Sequence, residues 1–328
     1  MNIVILDGYT SNPGDLSWDG IARLGNLAVF DHTPDDLIIE RARDAEIVIS
    51  NKTALGLAEI DRLPVLRYIG LLSTGYNVVD LDAAKRRGIA VTNIPAYSTP
   101  SVAQHVFALL LELCNHTGTH SVSVHAGEWT NSRDFCYWKH PLDELAGKTI
   151  GIVGFGNTGR ETAKIAKAFG MNVITCGRPG APAKNDSGDV YPDAHTDLPP
   201  RFTFEKVLSL SDVVSLHCPL YAETAELINH KTIALMKHGA FLINTSRGGV
   251  LNEHDVAKAL LEGRLGGAGI DVLSTEPPRS DNPLLSAPNC IITPHIAWAT
   301  RESRSRLIRT LEENLAAFLA GKPKNIIG

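Results

Sequence analysis

The sequence lacks any apolar run long enough to cross a bilayer. Its most lipid-compatible stretch, residues 102–114, is interrupted by Gln104, His105 and Glu112 and falls short of the roughly 20 residues a spanning helix needs. A secretory leader is also missing: Met1 runs straight into Asn2-Ile3-Val4-Ile5-Leu6-Asp7, without a basic n-region or a small-residue cleavage site, so secretion is not expected. Cysteine is sparse, with five residues (Cys114, Cys136, Cys176, Cys218 and Cys290) and no Cys-x-x-Cys pair. An odd, scattered set fits free thiols in a reducing compartment, and the cytoplasm is the expected location. Basic clusters are equally scarce. Only Lys85-Arg86-Arg87 stands out, against a net charge of −5, and it reads as the solvated end of a helix, so neither nucleic acid nor membrane is an expected partner. No internal repeat or low-complexity segment is apparent.

What remains is the composition of an ordinary globular chain, 44% hydrophobic and 20% charged over 328 residues, a length that suggests two domains. The first hundred residues alternate β-rich runs (2–7, 27–31, 46–50, 68–72, 89–92) with helical candidates such as 35–43 and 81–87. Strands alternating with helices predict a parallel sheet covered on both faces. Asn93-Ile94-Pro95 and Thr99-Pro100 then punctuate the chain, after which Ser101 can cap a long apolar helix through Val102, Val106, Leu109, Leu110 and Leu113. A second alternating series follows, with strands at 150–153, 173–176, 213–216, 240–244, 268–272 and 291–293. Six strands with intervening helices make a doubly wound sheet. Residues 301–319 form an amphipathic helix placed to return to the first domain. The connection 127–145 is rich in aromatics (Trp129, Phe135, Tyr137 and Trp138), unusual for a solvated loop.

None of the early strands leads into a Gly-x-Gly-x-x-Gly turn, but the first strand of the second series does, at Gly154-Phe155-Gly156-Asn157-Thr158-Gly159. A helix follows, with Ala163, Ala166 and Phe169 on one face and Gly170 as its stop. In this context the glycines permit a tight turn, the approach of a pyrophosphate to the backbone and close helix packing, while the helix N-terminus faces the anion. A glycine-rich corner alone is weak evidence; the strand before it and the helix after it point to a dinucleotide. The next strand ends in Cys176-Gly177-Arg178, where an acid would normally hold the ribose hydroxyls of NAD. Gly177 removes that carboxylate and Arg178 can pair with a 2′-phosphate. NADP(H) is therefore favoured, the alternative being a solvated Arg178 and NAD held by other contacts.

Ligands in such sheets bind beyond the carboxyl ends of the strands, and three late strands run into ionisable residues: one into Thr245-Ser246-Arg247-Gly248-Gly249, one through Asp271 to Glu276-Pro277-Pro278, and one into His295. Moving a hydride between nicotinamide and a 2-oxo acid requires a fixed substrate carboxylate, a polarised carbonyl and a proton donor. The arginine fork of Arg247 suits the first two tasks. His295 suits the third, oriented by Glu276, and Asp271 can accept from the nicotinamide carboxamide. Singly, Arg247 reads as a surface ion pair, Glu276 as a solvated turn residue and His295 as a bonded loop histidine. Their concurrence on the sheet edge that carries the glycine turn favours the chemical reading. The expected cofactor contacts are Gly154, Gly156, Asn157, Thr158, Gly159, Gly177, Arg178, Thr245 and Asp271.

These residues resemble the D-2-hydroxyacid dehydrogenase family over nearly the whole chain. The likeness is carried by Ser73-Thr74-Gly75-Tyr76-Asn77-Val78-Val79-Asp80, Gly147-Lys148-Thr149-Ile150-Gly151-Ile152-Val153-Gly154, Asn244-Thr245-Ser246-Arg247-Gly248-Gly249, Gly269-Ile270-Asp271-Val272, Thr275-Glu276-Pro277 and Thr293-Pro294-His295-Ile296-Ala297-Trp298. It implies catalytic roles for Arg247, Glu276 and His295, carboxylate binding by the N–H groups of Thr74 and Gly75, and a site in the cleft between domains. The fold so expected is α/β, a doubly wound Rossmann cofactor domain (residues 99–295) inserted into a discontinuous flavodoxin-like substrate domain (1–98 and 296–328). Val102-Ala103-Gln104-His105, the aromatic insert and Ile296-Ala297-Trp298 look most like glycerate dehydrogenases, also called hydroxypyruvate or glyoxylate reductases. The family is normally dimeric, so a homodimer is expected, with Phe135 or Trp138 reaching the partner or the substrate pocket.

Hydroxypyruvate, glyoxylate and larger 2-oxo acids all remain candidate substrates. Glu276 argues against formate dehydrogenases, which carry a neutral amide there, and the end at Gly328 argues against relatives with an added regulatory domain. A cofactor-binding corepressor scaffold is the rival from another class. His116, His120 and His125 are placed near the end of the long helix, where the i, i+4 spacing of the first pair can hold zinc, but no third ligand or His-Glu-x-x-His pattern accompanies them, so solvated helix histidines and no metal are expected.

Overall fold

Short runs of β-branched residues form the strands of two separate parallel sheets in a computed structural model that describes residues 1–176 and 198–328. The chain divides into two units, Met1–Ser98 with Trp298–Gly328, and Thr99–Ala297. In the first, β1 (Asn2–Ile5), α1 (Asp19–Ala22), β2 (Asn26–Val29), α2 (Ile38–Ala42), β3 (Ile47–Ser50), α3 (Leu57–Asp61), β4 (Tyr68–Leu71), α4 (Leu81–Arg86) and β5 (Ala90–Thr92) follow in order. The sheet runs β2-β1-β3-β4-β5, the flavodoxin-like order, in which β1 and β3 flank the point where the winding reverses.

The second unit opens with α5 (Thr99–Asn115) and α6 (Thr117–His125), then β6 (Thr149–Val153), α7 (Asn157–Ala168), β7 (Asn172–Cys176), β8 (Arg201–Phe202), α8 (Phe204–Leu210), β9 (Val213–Leu216), α9 (His230–Ile233), β10 (Ala240–Asn244), α10 (Glu253–Leu261), β11 (Leu265–Ile270) and β12 (Cys290–Ile292). Its order is β12-β11-β10-β9-β6-β7-β8, a Rossmann sheet extended by one strand, with the reversal between β6 and β9. β8, whose two residues pair with Thr175 and Cys176, takes the third-strand place of the 3-2-1-4-5-6 order, and β12 is the strand added beyond it. Two residues carry no readable periodicity, so six strands were expected where seven occur among the described residues. The last helix, α11 (Arg301–Leu319), belongs to the first unit.

Period-two alternation explains why both sheets are covered on both faces. In the first unit Ile3, Ile5, Ile47, Ile49 and Tyr68 pack with Leu307, Leu311 and Leu315 of α11. The intervening Val4, Val48, Ile69 and Val91 pack with Ile38, Ile60 and Ala83 on the opposite side. In the second unit Ile150, Ile152 and Ile243 meet Val106, Leu110 and Leu113 of α5, whereas Val153, Val214 and Leu242 meet Val207, Val256 and Leu260. Three local expectations change. α5 begins at Thr99, because proline is tolerated in a first helical turn, and Ser101 lies inside the helix with Oγ donating to Ala297 O at 2.6 Å. Residues 35–43 divide into a 3-10 turn, Asp35–Leu37, and α2. The long helix also ends before His116, which adopts φ 48° as the cap of α6, with its ring 4.6 Å from that of His140.

Candidate active site

The glycine turn leaves β6 at the switch point. Gly154 has φ 96°, and a Cβ there would lie 2.8 Å from Cys218 N and from the carbonyl of His217, so a side chain is excluded twice over. A Cβ on Gly159 would come 2.3 Å from Gly154 O, which is how close α7 packs on the turn. Gly156 differs, since a Cβ would meet nothing within 4 Å; its bareness leaves the backbone open to the outside. The first bond of α7 is Arg160 N to Gly156 O at 3.0 Å, and Gly156 supplies no capping side chain. The N–H groups of Asn157, Thr158 and Gly159 therefore have no partner among the described residues. Three such donors at the positive end of a twelve-residue helix are placed to receive an anion. At the end of β10, Thr245 Oγ1 is a buried polar atom likewise without a partner among the described residues. These features fit the pyrophosphate and further polar groups of a dinucleotide. Gly177 and Arg178 lie outside the described residues.

Along the same edge, β10 ends in the fully buried Asn244. Its Nδ2 donates to Arg247 O at 2.9 Å and its Oδ1 accepts from Ser246 N at 3.0 Å and Ser246 Oγ at 2.8 Å, which ties the loop into a fixed shape. A Cβ on Gly248 would overlap the carbonyl of Leu273 at 1.9 Å, so the loop bearing Arg247 lies directly on the one leading to Glu276. Arg247 is exposed; Nη1 donates to Ser246 O at 2.7 Å, and its guanidinium forms no ion pair among the described residues.

Glu276 and His295 are brought together. His295 Nδ1 and Glu276 Oε2 lie 2.6 Å apart, with the two side chains 30% and 35% exposed, and Leu273 N donates to Glu276 Oε1 at 3.0 Å. Glu253, at the start of α10, braces the glutamate loop by accepting from Ser274 N at 2.7 Å, Ser274 Oγ at 2.8 Å and Asn282 Nδ2 at 2.9 Å. With Nδ1 turned to the carboxylate, the His295 Nε2 faces away and has no partner among the described residues. Neither residue hydrogen-bonds Arg247.

Asp271 is 1% exposed and turns both carboxylate oxygens onto its own chain. Oδ1 accepts from Thr293 Oγ1 at 2.6 Å and Ile296 N at 2.9 Å, and Oδ2 from Ala297 N at 2.9 Å. Burial pushes its carboxyl up, but the bonds from His105, Thr293, Ala297 and Ile296 outweigh this and hold it below the ordinary carboxylate value. A carboxylate has about four acceptor positions, and Oδ2, which takes only the Ala297 N–H among the described residues, keeps room for another donor.

In the first unit, the loop after β4 is pinned by Thr74 Oγ1 to Ile94 O at 2.8 Å, Asn93 Nδ2 to Thr74 O at 2.8 Å and Ser73 Oγ to Gly75 O at 2.5 Å. The N–H groups of Thr74 and Gly75 have no partner among the described residues. Two other structural facts bear on the site. Among those residues no three histidine, cysteine or acidic side chains gather as a metal site, and no helix is long and apolar enough to cross a membrane.

The NAD-binding domain model of the D-isomer specific 2-hydroxyacid dehydrogenases matches residues 107–297. A hydroxypyruvate reductase of Blautia hydrogenotrophica is 47% identical over 330 aligned positions, covering 100% of this chain and 99% of that protein. The chain belongs to the D-isomer specific 2-hydroxyacid dehydrogenases. It is therefore an oxidoreductase of the CH–OH group that uses a nicotinamide cofactor. A glycerate dehydrogenase of Methylorubrum extorquens is 40% identical, over 90% of this chain and 89% of that one. Among solved structures, an acyclic imino acid reductase in complex with NADPH and D-Arg is 31% identical with a TM-score of 0.83, over 100% of both chains. The supports of this candidate site escaped sequence reasoning: Asn244 and Asp271 stood inside quoted motifs without these duties, and Glu253 sits 21 residues from the serine it holds.

Proposed function

We propose that the chain reduces a small 2-oxo acid, hydroxypyruvate or glyoxylate, to the D-2-hydroxy acid, with His295 as proton donor, Glu276 as its orienting carboxylate and Arg247 as the clamp. The 2.6 Å contact of Glu276 with His295 carries this reading, because it commits Nδ1 to the carboxylate and leaves Nε2 to deliver a proton to the forming alkoxide. A guanidinium without an internal ion pair is available to grip carboxylate and carbonyl oxygens together. The unpartnered N–H groups of Thr74 and Gly75 suit the substrate carboxylate. When bound, the nicotinamide dinucleotide supplies the hydride. Asn157, Thr158 and Gly159 would hold its pyrophosphate through their N–H groups, alongside Gly154 and Gly156, with Thr245 and Asp271 as further contacts; residues 99–295, within the compact unit Thr99–Ala297, would form the cofactor domain, and 1–98 with 296–328 the substrate domain. Turnover of hydroxypyruvate by His295→Ala tests the reading: a loss of about 10²- to 10⁴-fold is expected, and near-normal turnover would overturn it.

The preference for NADP(H) rests on Gly177 and Arg178, and steady-state kinetics with both cofactors decide it; a clear preference for NADH would refute it. A homodimer is supported by the exposed Phe135 and Trp138, 89% and 66% accessible, since aromatics left in solvent mark interaction surfaces. If Trp138→Ala left the sedimentation of the protein and its turnover unchanged, that role for Trp138 would fall. Five free cysteines suit the reducing cytoplasm, and recovery of the protein from a secreted fraction would contradict that placement.

A further inference from the structure

His105 takes no part in the chemistry just described, yet its ring reaches the carboxyl edge of the sheet from α5. Nε2 lies 2.9 Å from Thr293 Oγ1 and 3.5 Å from Asp271 Oδ1, with the side chain 18% exposed. Counting protons settles the direction of these contacts. The Thr293 hydroxyl has one proton, and Asp271 Oδ1, an acceptor only when ionised, takes it at 2.6 Å. Thr293 Oγ1 can then only accept from His105, so Nε2 carries a hydrogen.

The segment held in this way is the one that bears His295. His295 has φ 54°, a left-handed conformation that a residue with a Cβ keeps only when its surroundings enforce it. Here they do. His295 N donates to Asp271 O at 2.8 Å and to Thr293 O at 2.9 Å, and Ile296 N and Ala297 N grip the Asp271 carboxylate. Ser101, one helical turn before His105 and on the same face of α5, holds Ala297 O at 2.6 Å. The turn is thus fastened at both ends to one helix, by Ser101 at Ala297 and by His105 at Thr293.

We propose that His105 is a positioning residue, which fixes the Thr293–Ala297 turn through Thr293 and Asp271 and thereby aims the His295 imidazole. The inference rests on His295 being the proton donor, so its test includes a readout independent of catalysis. His105→Leu removes the N–H and is expected to lower kcat for hydroxypyruvate about tenfold while KM stays within about twofold. Amide hydrogen exchange at Ile296 and Ala297 should accelerate by a comparable factor, with the thermal transition of the remainder preserved. His105→Gln, which keeps an N–H donor, should recover the rate to within about threefold and slow the exchange again. Parental kcat together with unaltered exchange in His105→Leu would overturn the proposal. So would a loss spread equally over kcat and KM that glutamine fails to rescue. Should His295→Ala prove fully active, the acid–base reading fails, and the exchange rates alone then decide whether His105 holds the turn.

Discussion

Each sheet ends a strand with an aspartate that holds a neighbouring loop, and the two do so to different ends. In the first unit Asp7, just past β1, accepts from Asn51 N at 2.7 Å, Lys52 N at 2.5 Å and Thr53 N at 2.8 Å. Its partners are all backbone donors of one loop, and it is only partly buried. In the second unit Asp271, directly after β11, takes two backbone N–H groups and a hydroxyl, lies beside an imidazole, and is shut off from water. The first arrangement shapes a loop that solvent can also serve. The second fixes the turn that carries His295, around a carboxylate that is itself shut off from water.

The sharpest way to break this contrast is Asp271→Ala. It leaves one buried and two partly buried donors without their acceptor, at about 1–3 kcal/mol each where water cannot reach, so a loss of roughly 3–5 kcal/mol in urea unfolding is expected. Turnover should fall about a hundredfold or more as the His295 turn loosens; a fully active variant would show that the turn holds itself. Acid provides the next test. The Asp271 carboxyl is held below its ordinary value, so its stabilising charge is present above about pH 4 and is lost as pH falls through the lower folded value. Stability of the parent should therefore decline more steeply below pH 4 than that of Asp271→Asn, and equal slopes would remove the distinction from Asp7. Asp7→Ala should cost less, about 1–2 kcal/mol, because water can reach the freed N–H groups, with kcat within about threefold. A drop as large as that of Asp271→Ala would make the two carboxylates equivalent. Glu253→Gln is expected to matter least, since glutamine keeps one acceptor oxygen; kcat within about threefold is the expectation, and a larger loss would set Glu253 beside Asp271.

How much of this was legible in the chain follows from the range of the forces involved. Glycine spacing, strand alternation and the charged residues after β10, β11 and β12 are local marks, and they pointed to the glycine turn after β6 and to Arg247, Glu276 and His295 as candidates, of which the structure brings the last two together. β8 was invisible because Arg201-Phe202 is too short for a period. Ser101 sits where a cap belongs, but its oxygen found a carbonyl 196 positions away. His105 stood in a quoted motif, but Thr293 lies 188 positions further on, and no spacing rule spans such a gap. The bonds that Asp271 takes from Ile296 N and Ala297 N were not legible, because backbone N–H groups nearby leave no trace in the residue letters.

The bond from Ser101 Oγ to Ala297 O has a consequence for how such a protein can be built. It joins the third residue of the second unit to its last, so the stretch Thr99–Ala297 begins and finishes at almost one point. A segment with coincident ends can be spliced into a host loop, or closed on itself with a short linker and reopened elsewhere, with little loop-closure entropy to overcome. The bond sets the two ends of this unit side by side, the geometry that a circular permutation of it requires.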